Sequence, residues 1–356
     1  MNVSLFPRLA LFTGCVALVL SIDALAADLP SIKIMATGGT IAGRGASATE
    51  AGYEASEVAV DELIQNVPEI SDIADVSGEQ VLQTSSQHIT PEDWLTIGKA
   101  VNQAVADDGV DGVVITHGTD TMEETAYFLH LTVPSDKPVV LVGSMRPGTA
   151  MSADGAMNLF NAVALAGAPE ARGKGVLLTL NETVFGARDV TKGNTTNPAT
   201  FEARNAGPMG SVFFGEVNLY EAPIQAHTAE SEFKIDELES LPQVDILYGY
   251  AGDSSHLVEA AVTSGAEGIV FAGVGNGNFH PEVEAALAKA REEEVAVVRS
   301  ARVGSGHVTL DAEVDDEKYG FVVADDLSPQ KARVLLTLAL TETSEPARLQ
   351  EIFFKY

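Results

Sequence analysis

The sequence predicts an α/β protein with a larger N-terminal domain, built on a mainly parallel sheet flanked by helices, and a smaller C-terminal α/β domain. Three observations lead there. Short apolar runs bounded by Gly, Pro or Asp alternate with segments of helical spacing from residue 31 to about 181. A polar stretch marked by prolines interrupts this rhythm between about Leu219 and Leu241, and the alternation then resumes. At 356 residues, 46% of them hydrophobic, the chain is long enough to fill two cores of ordinary size.

In chain order, Ser31–Ala36, Gly112–Thr116, Pro138–Gly143 and Gly175–Leu180 read as strands buried on both faces, because their apolar residues are continuous rather than alternating. Helices are expected over Pro91–Asp107 and Asp154–Ala168, and again where Met122, Ala126, Leu129 and Val133 share one face. Pro223, the polar run Thr228–Glu232 and Pro242 mark a linker over residues 221–242, which separates a catalytic domain over 27–220 from a second domain over 243–356. Strands Val244–Tyr248, Gly268–Ala272 and Val295–Arg299 are expected there, with helices Ser255–Ser264, Pro281–Glu294 and Ser328–Thr341.

Residues 1–26 read as a signal peptide. Arg8 precedes the apolar run Leu9–Ile22, and Ala24-Leu25-Ala26 fits a small-residue cleavage site. The run ends at Asp23 after about 14 residues, short of the roughly 20 needed to span a bilayer. A periplasmic address is expected, with secretion as the variant of the same export. Phe12-Thr13-Gly14-Cys15 resembles a lipoprotein acceptor, but the apolar stretch before it is too short. The sole cysteine, Cys15, lies in this segment, so the processed chain would hold no disulfide and would depend on packing and assembly.

Lys and Arg number 21 against 51 Asp and Glu, a net charge of -30. Such a surface repels nucleic acid and anionic lipid, which removes both from the expected partners.

In parallel sheets ligands bind where strands end and helices begin. Two Gly-Thr elements occupy such places: Thr37-Gly38-Gly39-Thr40 after the first strand and His117-Gly118-Thr119-Asp120-Thr121 after Gly112–Thr116. Each has a plain structural reading, a glycine turn for Thr40 and a capping box Thr121-x-x-Glu124 for the second. Recurrence at two strand ends favours chemistry, since it would gather two hydroxyls and a carboxylate in one crevice. Gly38–Gly43 has the spacing of a phosphate loop, but Arg44-Gly45 replaces the Lys-Ser/Thr pair. There is no G-x-G-x-x-G after a strand, no H-E-x-x-H and no G-x-S-x-G, and the seven histidines lack metal-ligand spacing. His117 reads as a strand-end histidine.

The stretches A-T-G-G-T-I-A, T-H-G-T-D-T-M-E-E-T-A and G-S-M-R-P-G-T-A-M-S-A-D-G closely resemble the bacterial type II L-asparaginases and the glutaminase-asparaginases. The similarity continues through Asp189–Lys192, Ala272–Asn278, Asp311–Phe321 and P-Q-K-A-R-V-L-L, essentially the whole chain after the leader.

This resemblance implies amide hydrolysis of L-asparagine, and more slowly of L-glutamine, with no metal or organic cofactor. Thr40 would be the nucleophile on a mobile loop, with Tyr53 beside it. Thr119 and Lys192 would form a second group, and Asp120 would bind the substrate ammonium. Ser86 and Gln87 match the substrate-carboxylate segment, with Ser85 standing where the family commonly has glycine. Asn278 and Glu313 would reach a neighbouring subunit's site in a homotetramer made of two intimate dimers. Lysine has an ordinary pKa of about 10.4, so Lys192 would polarise Thr119 while water or Tyr53 handles the proton. The rival reading is a periplasmic amino-acid-binding protein without hydrolysis; a phosphate-binding α/β protein is disfavoured by the missing lysine.

Overall fold

The computed structural model describes Met1, residues 29–50 and residues 52–356. The apolar run of the leader, its cleavage motif and Cys15 lie outside the described residues.

The larger sheet contains β1 (Ser31–Gly38), β2 (Asp75–Thr84), β3 (Gly112–Thr116), β4 (Val139–Val142), β5 (Val176–Leu180), β6 (Thr183–Gly186), β7 (Gly210–Phe213) and β8 (Glu216–Leu219). Their spatial order is β8-β7-β6-β5-β4-β3-β1-β2. Strands β2 to β5 are parallel, whereas β5 to β8 pair as antiparallel neighbours.

The first helix, α1 (Val60–Gln65), packs on β2. Continuous apolar strands arise because helices cover both faces. Val113 and Ile115 join the core formed by α2 (Pro91–Ala106) and α3 (Met122–Thr132), while Val114 points into the core shared with α4 (Gly155–Gly167). All three are 0% exposed, and burying each such side chain contributes about 1.5–3 kcal/mol. The start of α2 is fixed by Thr90, whose hydroxyl accepts from the Asp93 N–H while the Asp93 carboxylate accepts from the Thr90 N–H.

The smaller sheet is parallel throughout, in the order β9 (Val244–Tyr248), β10 (Gly268–Gly273), β11 (Ala296–Ala301), β12 (Val322–Val323). Around it lie α5 (His256–Thr263), α6 (Pro281–Glu292), α7 (Asp316–Tyr319), α8 (Pro329–Ala339) and α9 (Pro346–Lys355). α8 packs on β9 and β10 and also on α3, so one apolar core runs from the first domain into the second.

Residues 221–242 are tightly held. Phe233 and Ile235 are buried, the Phe233 ring lies 5.2 Å from that of Tyr356, and Lys99 Nζ donates to the Leu238 carbonyl at 2.6 Å. Among the described residues, no helix is long and apolar enough to cross a membrane.

Candidate active site

The order β2-β1-β3 means that the chain leaves β1 toward one side of the sheet and later returns on the other. A crevice opens at such a reversal, outside the carboxyl ends of the strands. Thr40 follows β1, Ser86 and Gln87 follow β2, and Thr119 and Asp120 follow β3.

Backbone contact brings the first and third loops together. Gly39 has φ 84°, and a Cβ there would lie 2.4 Å from the Gly118 nitrogen. A Cβ on Gly118 would in turn stand 2.5 Å from Ser86 Oγ. The glycines therefore allow three strand ends to converge within van der Waals reach. Ser85 has φ -78° and ψ 142°, an extended conformation that needs no glycine.

Thr40, Ser86, Gln87, Thr119, Asp120 and Lys192 line one crevice of about 640 Å³. Thr40 opens a single 3-10 turn, Thr40–Ala42, and is 7% exposed. The chain beyond it makes a two-residue ribbon in which Tyr53 pairs with Gly45. Lys192 comes from a second short ribbon, opposite Phe201. Its ammonium donates to Thr119 Oγ1 at 2.9 Å and to Asp120 Oδ1 at 2.6 Å. One cation thus touches a hydroxyl and a carboxylate on the neighbouring loop.

The second Gly-Thr element departs from its structural reading. Thr121 precedes α3, but its hydroxyl caps nothing in the helix and donates instead to the Ser86 carbonyl at 2.8 Å. The Asp120 N–H donates to Ser86 Oγ at 3.2 Å. Ser86 is therefore bound to the Thr119-Asp120-Thr121 loop from two sides, which fixes the Ser86 segment relative to Asp120.

His117 is fully buried, and burial pushes its pKa down to about 4. The neutral ring is fully bonded. Trp94 Nε1–H donates to Thr125 Oγ1 at 3.2 Å, Thr125 Oγ1 lies 3.0 Å from His117 Nε2, and His117 Nδ1 lies 2.7 Å from the Gly118 carbonyl. With Nδ1 as the donor every member is satisfied, and the chain of bonds pins Gly118 from below.

Met145 is a site residue that the sequence reading missed. It follows β4, the next strand end, and its Sδ accepts from Thr119 Oγ1 at 3.4 Å. The Asp154 carboxylate holds the loop by accepting from the N–H groups of Met145 and Arg146, each at 3.0 Å. Its signal was the G-S-M-R-P segment directly after a predicted strand. Thr149 also binds the loop beyond Thr40, accepting from the Gly45 N–H at 2.7 Å.

Asn278 and Glu313 do not line this crevice within their own chain. The Asn278 amide donates to the Glu313 carboxylate, so the two motifs meet each other in the second domain.

Comparison with known proteins identifies the family. A family model described as "Asparaginase, N-terminal" matches residues 31–225, and one described as "Glutaminase/Asparaginase C-terminal domain" matches residues 243–353. The chain belongs to the asparaginase family. It is 52% identical over 344 residues to L-asparaginase 2 of Escherichia coli (strain K12), covering 97% of this chain and 98% of that protein. It is 49% identical over 330 residues to the glutaminase-asparaginase of Pseudomonas fluorescens biotype A, covering 92% and 91%. A crystal structure of a probable cytoplasmic L-asparaginase from Campylobacter jejuni superposes with a TM-score of 0.89 at 48% identity, covering 92% of this chain and all of that one. Family membership makes the protein an amidohydrolase-class enzyme.

Proposed function

We propose that this asparaginase-family protein hydrolyses L-asparagine to L-aspartate and ammonia, with L-glutamine as a slower substrate, and that Thr40 is the nucleophile. The observation that carries this reading is the Lys192 ammonium bonded at once to the Thr119 hydroxyl and the Asp120 carboxylate, in the crevice that Thr40 lines. A binding protein needs the carboxylate; it has no need of a lysine on an adjacent hydroxyl.

Asp120 receives the substrate ammonium, and Ser86 with Gln87 receives the α-carboxylate. These contacts hold the side-chain amide at the hydroxyls, so that attack is effectively intramolecular. The Thr40 oxygen bonds to the amide carbon, its proton passes by way of water or Tyr53 to the amide nitrogen, and the C–N bond breaks with ammonia as the leaving group. Water then attacks the resulting ester and releases aspartate. Backbone N–H groups at Thr40 and Thr119 are the proposed oxyanion donors, each worth roughly 10²- to 10³-fold in rate. Lys192 acts electrostatically through Thr119.

Asn278 and Glu313 are assigned to the site of a neighbouring subunit within a homotetramer, because they are joined to each other and stand outside their own crevice. Export through the N-terminal leader is supported by its charge and apolar pattern. Preference between asparagine and glutamine rests on one methylene, a difference of about 1–3 kcal/mol.

Ammonia release from asparagine and glutamine is the direct test, measured beside Thr40→Ala. Ammonia from the parent protein and loss of more than about 10³-fold in the variant are expected, that factor resting on the weak nucleophilicity of water alone. Binding of asparagine without any ammonia would return the protein to the amino-acid-binding reading.

A further inference from the structure

Lys331 is the third residue of α8, and it is 2% exposed. Its ammonium donates to the Glu123 carbonyl at 3.1 Å and to the Ala187 carbonyl, and lies 5.4 Å from the centre of the Tyr127 ring. These two carbonyls belong to the segments that carry the reacting groups. Glu123 stands four residues after Thr119 in the first turn of α3, and Ala187 stands five residues before Lys192. The Ala187 N–H is tied to the Val176 carbonyl at the start of β5, so its own carbonyl is a fixed anchor.

We propose that Lys331 is a positioning residue for amide hydrolysis: from the C-terminal domain it ties the Thr119 segment to the Lys192 segment and so holds the Lys192 ammonium on the Thr119 hydroxyl. The inference rests on the roles given above to Thr119 and Lys192. Docking of the two domains does not depend on this contact alone. Arg333 pairs with Glu124 at 3.5 Å, and Arg188 reaches Asp326 at 2.7 Å and the Tyr356 carbonyl at 2.7 Å. Lys331 differs from these in joining both segments through one nitrogen atom.

The clamp has a pH dependence of defined sign. Glu123 and Glu124 on α3, Arg188 and Asp189 on the segment after β6, and Arg333 on α8 are the charged groups around it, with the Tyr127 and His130 side chains on α3. Burial pushes the Lys331 pKa from an ordinary 10.5 down to about 8. Above that pH its hydrogen bonds lose their charge assistance and weaken. The neutral amine is nevertheless cheaper to bury, so this group favours the folded state increasingly between about pH 8 and 10.5. Activity lost through Lys331 therefore runs against stability gained through it.

The test uses full-length Lys331→Met, Lys331→Arg and Glu123→Gln proteins, with kcat and KM for asparagine measured from pH 6 to 10 beside melting temperature. Lys331→Met is expected to lower kcat about tenfold or more while KM changes less than about threefold, as for a group that acts on the transition state alone. Lys331→Arg should restore much of kcat and carry the alkaline limb upward. Glu123→Gln keeps the backbone carbonyl but removes the negative charge that does most to raise the Lys331 pKa, so its alkaline limb should move to lower pH. Folded Lys331→Met with unchanged kcat would overturn the proposal. If that variant does not fold, a Glu123→Gln limb that stays in place, or activity that merely tracks the melting temperature, overturns it instead. Failure of the hydrolytic reading itself would look different, since the parent protein would then release no ammonia.

Discussion

Arg299 and Asp316 form a two-pronged ion pair with both side chains 1% exposed, at 2.5 Å from Nε to Oδ1 and 2.6 Å from Nη2 to Oδ2. The guanidinium also donates to the carbonyls of Asn276, Gly277 and Thr309, and Asp316 accepts from the Asp311 N–H. A single buried pair thereby gathers the loop that carries Asn278 and the loop that carries Glu313. Removing one partner strands a buried charge, which costs about 3–5 kcal/mol. Arg299→Met is therefore expected to lose that much in urea unfolding. The double variant Arg299→Met with Asp316→Leu should lose less than the two single changes added together. Full additivity would mean that the pair does not act as a unit.

Shared sites make a second prediction. If Glu313 serves a neighbour's crevice, Thr40→Ala and Glu313→Gln subunits are each defective as homo-oligomers. Mixed after dissociation and reassociation, a hybrid dimer holds one site with both defects and one with neither. Activity should return toward about a quarter of the parent value, the statistical share of intact sites for random pairing in closed dimers. Ammonia release after mixing, compared with unmixed controls, measures it. No recovery in hybrids shown by mass to have exchanged would place Glu313 in the service of its own chain.

The parts of this molecule that were legible in advance are those governed by periodicity. The strands Gly112–Thr116 and Val244–Tyr248 match their expected bounds, and α2 and α4 differ from theirs by a residue or so, because apolar faces and flanking prolines mark them. β2 escaped notice because Asp75–Thr84 is an edge strand whose sequence is mostly polar. The segment 221–242 read as a linker from its charge, yet Phe233 and Ile235 bury two positions that a pattern average hides. In the site, Thr40 and Thr119 announced themselves through glycine. Lys192 sits in a two-residue ribbon with no periodic signal, and only the family resemblance singled it out. The bond from Thr119 to Met145 joins residues 26 apart and depends on strand order, which no local pattern encodes.

Acid should destabilise the protein through His117. Its folded pKa of about 4 lies below the ordinary 6.5, so the unfolded chain binds the extra proton first. Stability from this group is complete above pH 6.5 and is lost as pH falls toward 4, amounting to roughly 3 kcal/mol. His130 shifts in the same direction, through burial and the nearby His227. The lone tryptophan, Trp94, is bonded to Thr125 in the same network and stacked 5.5 Å from Phe128, so its fluorescence reports the transition. His117→Gln should be less stable at pH 7 but show a shallower loss between pH 6.5 and 4. An unchanged slope would locate the acid sensitivity elsewhere.

Met145 offers the sharpest separation of chemistry from folding. The Thr119 hydroxyl accepts from Lys192, so its own proton needs another direction, and the Met145 sulfur accepts it at 3.4 Å. That orientation leaves an oxygen lone pair under the ammonium and stops the hydroxyl from rotating its proton toward Lys192. Leucine has nearly the volume of methionine but no acceptor, and such exchanges usually cost less than about 1.5 kcal/mol of stability. Met145→Leu should therefore melt close to the parent protein while kcat falls about tenfold, equivalent to about 1.4 kcal/mol of transition-state stabilisation. KM for asparagine should move little, because Asp120, Ser86 and Gln87 keep their places. A kcat equal to the parent's would show that Lys192 alone orients Thr119, and a large drop in melting temperature would reduce Met145 to packing.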